Sequence, residues 1–415
     1  MNKSHLVVLA SITLIGFFTL VAIVLARGYL PDVSSKSFLP TGILVTTSDP
    51  DGARVFINGK LTTATNNTIN LAPGSYDISI EKDGFSTWTK KVEIRKEEVI
   101  KTNVFLFPKV SDLKPLTLTG AMNPTASLDE RKIAYSVASA SADKNGVWVI
   151  DMDGGRMLIG SFNSRQIYKD SATLKLAGSK LLWSPDGSQI LAFAGVKNEK
   201  FATNSGNVYK DIDIKSVQLP YLLDSGQLNP LPQLLDVRSL ELVLSNWSDL
   251  WEEKNTLIFS KLNPKIEPFF QRNVTHLSLS VDETKFLYTA TNSASIPVVN
   301  NSYLPGSNST KQDRNLKPGN IYVYDATEDR NYFIMDSKTS KDIVIAWFPS
   351  SRHLMVYNDK EIAVMEFDGS NKSTLYTGPF TRGVIVPWPN WSKIVILTSL
   401  NSLSGGENLY TLNLR

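Results

Sequence analysis

The chain contains no cysteine. That excludes disulfides, zinc–thiolate sites, iron–sulfur clusters and cysteine nucleophiles. It also excludes an anchor built on a lipid-modified cysteine. Histidine is nearly absent: His5, His276 and His353 are the three in 415 residues. His5 abuts an apolar run. A Ser–His–Asp arrangement needs one well-placed histidine beside an activated serine, and no Gly-x-Ser-x-Gly turn is present. His276 and His353 therefore read as ordinary strand residues. The metalloprotease helix motif and His-rich metal sites are missing as well. Neither sign of charge dominates: 43 basic and 40 acidic residues give a formal net charge of +3. Acids and bases are interspersed, so no basic stripe points to nucleic acid. No glycine-rich loop precedes a helix, which leaves a nucleotide site without support. Sustained helical periodicity is rare, and Leu235–Leu250 is the one ambiguous segment. The residues thus nominate no catalytic, cofactor-binding or metal-ligating group and argue against an enzyme.

What the sequence does have begins with an uncharged apolar run from Leu6 to Ala26. A bilayer core of roughly 30 Å needs about 20 apolar helical residues. Ser11, Thr13 and Thr19 are tolerable there, because a hydroxyl can bond back to a helix carbonyl. Lys3 and Arg27 nearly balance, so the positive-inside rule gives little guidance. A cleaved signal peptide is the rival, with Val24 and Ala26 at small-residue positions, but the run exceeds the ~7–15 residues of a signal h-region. The expectation is a transmembrane anchor over residues 1–28, a flexible polar linker over 29–39, and folded domains on the extracytoplasmic side.

Residues 40–110 show a compact β pattern. Gly42–Thr47 alternates, Asp49-Pro-Asp-Gly-Ala53 is a turn, and Asn58-Gly59 is a strong hairpin signal because both positions tolerate positive φ. Leu71-Ala-Pro-Gly74 and Asp83-Gly84 mark further turns. Six short strands predict a small sandwich. Three elements in order resemble the PEGA domain: Pro50-Asp51-Gly52-Ala53 with Asn58-Gly59, then Leu71-Ala72-Pro73-Gly74-Ser75-Tyr76, then Lys82-Asp83-Gly84-Phe85. Thr65-Asn66 departs from the Thr-Pro usual between the first two, which puts one turn in doubt. The resemblance implies a surface-associated β-module without catalytic residues.

From 113 to 415 one unit repeats imperfectly: a turn with Ser/Pro/Asp/Gly, then an apolar strand, then a second strand ending in Asp. Leu182-Trp-Ser-Pro-Asp-Gly-Ser-Gln-Ile-Leu-Ala-Phe193 is the clearest copy. Others start at Ser127, Leu279, Trp347 and Trp388, with a weaker one around Trp247–Phe259. Partner strands run Gly146–Asp151, Asn320–Asp325, Glu361–Glu366 and Asn408–Leu412, with aromatic and β-branched residues facing alternate sides. The region resembles a TolB-like or WD-repeat-like β-propeller. At ~40–50 residues per blade its length suggests six blades, or else seven. A pair of β-sandwiches would explain the strands but not the recurring turn.

The expected fold class is all-β: a transmembrane helix, a PEGA-like sandwich and a propeller. Asp151-Met152-Asp153-Gly154 invites a Ca²⁺ reading, but the further ligands of such a loop are absent and a hairpin turn suffices. Two polar insertions, Val196–Gly206 and Ser293–Lys317, read as disordered. A propeller without a reactive constellation implies a binding platform for a protein or cell-envelope polymer. The alternatives are a glycoside-cleaving propeller working with two carboxylates and a purely structural spacer.

Overall fold

A computed structural model describes residues 3–26, 29–32, 37–139, 141–152, 164–195, 207–214, 217–300, 304–336, 338–381, 383–400 and 406–415. The chain divides into two compact units: residues 1–108 with 301–311, and the remainder.

In the first unit, α1 (Lys3–Ala26) carries the apolar run. Its side chains from Val8 to Ile23 are exposed or nearly so, Phe17, Phe18 and Leu20 each at about 60%. Thr13 and Thr19 donate to the carbonyls of Leu9 and Ile15, four residues back, so their hydroxyls are satisfied within the helix. Among the described residues no helix is long and apolar enough to cross a membrane. The expected linker is not wholly irregular: β1 (Tyr29–Asp32) pairs antiparallel with β2 (Ser37–Pro40), and the Tyr29 hydroxyl donates to Glu97.

The sandwich has seven strands rather than six. They are β3 (Gly42–Asp49), β4 (Arg54–Ile57), β5 (Lys60–Ala64), β6 (Asn67–Leu71), β7 (Gly74–Glu81), β8 (Trp88–Ile94) and β9 (Val99–Phe105). One sheet has the order β6-β3-β9 and the other β5-β4-β7-β8. Between them lie Leu44, Val55, Ile78, Ile80, Trp88 and Val104. Asn58 (φ 49°) and Gly59 (φ 77°) make the two-residue hairpin between β4 and β5, where both central residues need positive φ. The departure at Thr65-Asn66 has a physical reading. Asn66 sits at φ 65°, which a proline ring cannot adopt, while Thr65 Oγ1 accepts from Ala53 N and bonds Ser48 Oγ. β3 and β9 pair in parallel, a relation hairpin signals cannot reveal. Residues 301–311 belong to this unit too: Gly306 N donates to Glu98, and Ser309 Oγ donates to the Lys91 carbonyl.

The second unit contains five four-stranded antiparallel sheets among the described residues, not six. Blade 1 is Met122–Ala126, Lys132–Val137, Gly146–Asp151 and Ser164–Lys169. Blade 2 is Lys180–Trp183, Gln189–Phe193, Tyr221–Asp224 and Gln233–Leu234. Blade 3 is Val274–Leu279, Lys285–Ala290, Ile321–Asp325 and Arg330–Met335. Blade 4 is Val344–Trp347, His353–Tyr357, Glu361–Glu366 and Ser373–Thr377. Blade 5 is Ile385–Pro387, Lys393–Thr398 and Asn408–Asn413, completed by Asp112–Pro115 from the start of the unit. Pairing the first strand with the last fastens the two ends of the ring into one sheet, so no strand edge is left open at the junction.

The missing sixth blade is replaced by helices. The weak copy at Trp247–Phe259, like most of the ambiguous Leu235–Leu250 segment, lies in α2 (Val237–Ser260). Asp236 caps it by accepting from Ser239 N at 2.7 Å. α3 (Glu267–Asn273) follows. One face of blade 2 packs on blade 1 through Trp183, Ile190 and Ala192. Its other face, Leu182, Leu191 and Phe193, packs on Leu240, Leu244 and Trp247 of α2. Blade 3 turns Phe286, Tyr288, Tyr322 and Tyr324 towards Phe270 of α3 and Leu262, while Leu287 and Val323 face blade 4. Blade 5 closes on blade 1 through Trp388, Val395 and Leu397 against Ile133, Tyr135 and Ile150. The helices thus stand between blades 2 and 3. Dividing length by blade size failed because residues 235–273 fill a sector without adding a sheet.

Candidate functional site

Antiparallel pairing puts the first-to-second and third-to-fourth connections of every blade at one end. The other connections lie at the opposite end. The two ends differ in chemistry.

At the first end the same five-residue turn occurs in each blade. The amides of Ser127, Ser184, Ser280, Phe348 and Trp388 donate to the carbonyls of Lys132, Gln189, Lys285, His353 and Lys393, at 2.8–3.0 Å. The residue three positions on is left-handed each time: Glu130, Gly187, Glu283, Ser351 and Trp391, with φ between 54° and 68°. In three copies serine and aspartate complete the turn. Ser127, Ser184 and Ser280 donate to Asp129, Asp186 and Asp282 at 2.5–2.6 Å. The amide five residues on returns a bond to each serine hydroxyl. Burial opposes ionisation of Asp186 and Asp282, but hydroxyl and backbone-amide bonds, joined at Asp282 by the Lys285 charge, together outweigh it and hold both carboxyls below the ordinary aspartate range. Glycine at 187 meets the positive φ at no steric cost; the other four copies carry a side chain there.

The strands leaving this turn begin with a long polar residue that registers against the end of the third strand. The pairs are Lys132–Asp151, Gln189–Asp224, Lys285–Asp325, His353–Glu366 and Lys393–Asn413. Two of these side chains bridge neighbouring blades. Lys132 Nζ reaches the Gly187 carbonyl of blade 2 at 3.0 Å, and Lys285 Nζ lies 5.1 Å from the Phe367 ring centroid of blade 4. Where the helices intervene, α2 and the residue after it supply the bonds. Lys254 donates to Pro185 O at 2.5 Å and Lys261 to Glu283 at 2.6 Å.

Several chemically conspicuous side chains fall into this pattern. Ser350 Oγ lies 2.8 Å from His353 Nδ1, and Glu366 faces His353 across the strands. Yet Ser350 holds the place of Asp129, Asp186 and Asp282, and His353 the place of Lys132 and Lys285, so the trio is blade 4's version of the turn. Burial pushes His353 down to about 4, with Arg352 acting in the same sense and Glu366 opposing, so the ring is neutral near pH 7. His276 is exposed at φ 51°, in a bulge of blade 3's first strand, at the place Asn123 occupies in blade 1. Glu130, half-buried in the first turn, is pushed up to about 7 by desolvation and then by Asp129. Its counterparts supply one other carboxylate, Glu283, which is held by Lys261. Asp325 is raised by burial but accepts from Thr327 N and Glu328 N as a turn cap. Asp151 is paired with Arg165, while Asp153 lies outside the described residues. Among the described residues no cluster of three or more His, Asp or Glu side chains fits a metal ion.

From the opposite end emerge most of the long connections; one, 152–163 between the third and fourth strands of blade 1, leaves the turn end. Those at the opposite end are 194–220 in blade 2, 235–273 with both helices, 291–320 in blade 3 and 399–407 in blade 5. Val196–Gly206 lies outside the described residues. The insertion expected to be disordered at Ser293–Lys317 is instead held in place on both its arms. Ala294–Ser295 pairs with Asn315–Leu316, and Arg314 forms a buried ion pair with Asp329 at 2.8 Å. Sequence reading missed this because its polar composition looks solvated, while its anchors Ile296, Val299 and Leu316 are single apolar residues spread over the segment.

Residues 41–109 match the PEGA domain. Solved structures to which the chain is similar include three other proteins. With the crystal structure of oligogalacturonate lyase from Vibrio parahaemolyticus the chain shares 10% identity, over 82% of this chain and 86% of that one, at a TM-score of 0.24. With TolB from Acinetobacter baumannii the values are 12%, 81%, 59% and 0.22. With the β-propeller domain of Cps50 (Swd1) from Myceliophteria thermophila they are 10%, 73%, 100% and 0.24. No curated protein matches the chain. The propeller assignment rests on the sheets and their ring of cores, not on these scores.

Proposed function

We propose that this is a membrane-tethered extracytoplasmic scaffold whose propeller binds a protein or cell-envelope polymer at the end bearing the long connections, without catalysing a reaction. One observation carries the reading: at the turn end a repeated turn and several side chains stitch neighbours together, whereas the other end carries most of the long connections, unequal in length and sequence. Connections of that kind are where a fixed scaffold presents recognition residues. The tether reading is supported by the uncharged run Leu6–Ala26 and by the exposure of its apolar side chains in α1.

The binding test uses photo-crosslinking residues in the full-length protein in cells. Ser141 and Lys360 report on the long-connection end, Leu128 and Val281 on the turn end. Crosslinks to one envelope component from the first pair support the reading. Crosslinks confined to the second pair, or none at all, overturn it. The tether is tested by carbonate extraction of membranes and by protease access to a C-terminal tag on intact cells. Release by carbonate, or protection of the tag until lysis, rejects a spanning anchor or an outside propeller respectively.

A further inference from the structure

Within blade 3, the two arms of the insertion between its second and third strands converge on one turn. Asp329, in the turn before the blade's last strand, is 6% exposed and sits at φ 49°. Its carboxylate accepts from Val299 N at 2.7 Å, Asn300 N at 2.8 Å, Arg314 Nη2 at 2.8 Å and the Tyr324 hydroxyl at 3.0 Å. Arg314 in turn donates to the carbonyls of Ile296 at 3.1 Å, Pro297 at 2.6 Å and Asp329 at 2.5 Å. One ion pair therefore grips both arms, 294–300 and 312–316, and ties them to a single turn. The other fastenings are sparse. Among the described residues they include a two-residue ladder, an exchange of bonds between Asp313 and Asn331, the Tyr322 hydroxyl on Asn315 O and Lys317 N, and the buried side chains of Ile296 and Leu316, while the segment between the arms bonds through Gly306 N to Glu98 and through Ser309 Oγ to the Lys91 carbonyl.

We propose that these two arms are a strap over the outer part of blade 3, locked by Arg314–Asp329, which opens as one unit while the blade stays folded. The blade's own ladders run Lys285–Thr289 against Ile321–Asp325, and Ile321–Asp325 against Arg330–Met335. Neither ladder passes through the arms, so releasing the arms leaves both intact. Removing one member of a buried ion pair strands the other charge in a poorly solvated place, and this penalty falls on the closed strap alone. Opening uncovers the hydroxyl edge of Tyr322 and the rim of the aromatic cluster beneath it. The outer surface of blade 3 is thereby able to switch between two forms without disturbing the ring.

The test is native-state hydrogen exchange on the full-length chain in detergent, across low concentrations of guanidinium. The amides of Ile296, Val299, Asn300 and Asp313 are expected to exchange together, through an opening that costs less than the one exposing Ile321–Asp325. Arg314→Gln is expected to speed exchange of the four by about tenfold or more while leaving the ladder amides unchanged. It also speeds tryptic cleavage at Lys317. Arg165→Gln, which breaks a different ion pair in blade 1, leaves the strap as it was. Arm amides that exchange only with the ladders in the native protein overturn the proposal. So does an Arg314→Gln protein that folds with unchanged arm exchange. If Arg314→Gln fails to fold, the denaturant series on the native chain decides alone.

Discussion

An ordinary junction between two blades and the junction filled by α2 and α3 solve one problem in two ways. Between blades 1 and 2, sheet packs on sheet. Trp183 buries its ring beside Ile190 and sends its indole N–H to Thr125 O at 3.0 Å, and between blades 3 and 4 Trp347 does the same to Ser278 O at 3.1 Å. Between blades 2 and 3 a helix face replaces a sheet face. Trp247 meets Tyr209 edge-on, and Phe270 enters a nest of Phe286, Tyr288 and Tyr324. The comparison teaches that ring closure needs apolar surface of the right depth on both neighbouring blades, and not a particular secondary structure to cover it.

The strongest way to break that equivalence is Phe270→Ala. The side chain is fully buried at the centre of the aromatic cluster, so its loss is expected to cost about 3–5 kcal/mol. Leu354→Ala, in the junction between blades 3 and 4, is expected to cost about 2–5 kcal/mol. Guanidinium unfolding followed by tryptophan fluorescence should show both acting on one shared transition. A separate early transition for Phe270→Ala alone would make the helices an appendage rather than a sector of the ring.

A second test uses pH. His353 is held at about 4, so between its ordinary value near 6.5 and 4 the unfolded chain takes up a proton that the fold refuses. Stability is complete above 6.5, falls through that window and levels off below it. The expected loss is about 3 kcal/mol, from 1.36 kcal/mol per pH unit. Unfolding midpoints measured from pH 7 to 4 should therefore fall less steeply in His353→Gln. An unchanged slope would show that blade 4's turn is not the group responsible.

Smaller effects sharpen the turn comparison. Ser184→Ala removes the hydroxyl that bridges Asp186 and the Gln189 amide, and is expected to cost about 1 kcal/mol. Ser127→Ala and Ser280→Ala should match it within error if the three turns are equivalent. Lys254→Ala, which takes away a part-buried contact from α2 to the Pro185 carbonyl, is expected to cost about 1 kcal/mol. A cost comparable with Phe270→Ala would mean that the polar stitching, and not the apolar packing, holds the helical sector.

Much of this architecture was legible because it is written in short-range chemistry. The alternation in Gly42–Thr47, the Asn58-Gly59 hairpin and the five turns beginning at Ser127, Ser184, Ser280, Phe348 and Trp388 each depend on neighbours within a few residues. Counting those turns gives five, which is the number of four-stranded sheets among the described residues of the second unit; dividing length by blade size gave six. The repeated turn also makes sense of the histidines. Ser350 and His353 look like part of a catalytic set in isolation and become a structural variant once aligned with Ser184-Pro185-Asp186 and its successors. The candidate binding end was legible only as irregular polar sequence, because no local period marks which connections leave the same end of a ring.

By itself, then, the amino-acid sequence determined the strands, their turns, the apolar N-terminal helix and the absence of cysteine chemistry, since each follows from side-chain type and spacing along the chain. Tertiary structure decided three things that spacing does not encode. α2 and α3 occupy a blade's place because Leu182, Leu191 and Phe193 on one side, and Phe286 and Tyr288 on the other, offer apolar faces that a helix covers as well as a sheet. Asp112–Pro115 completes blade 5 because it meets Asn408–Asn413, some three hundred residues later. And a polar insertion is fixed in place by Arg314 and Asp329, which meet in a poorly exposed place that exists only after the chain has folded, where losing either partner would strand the other's charge.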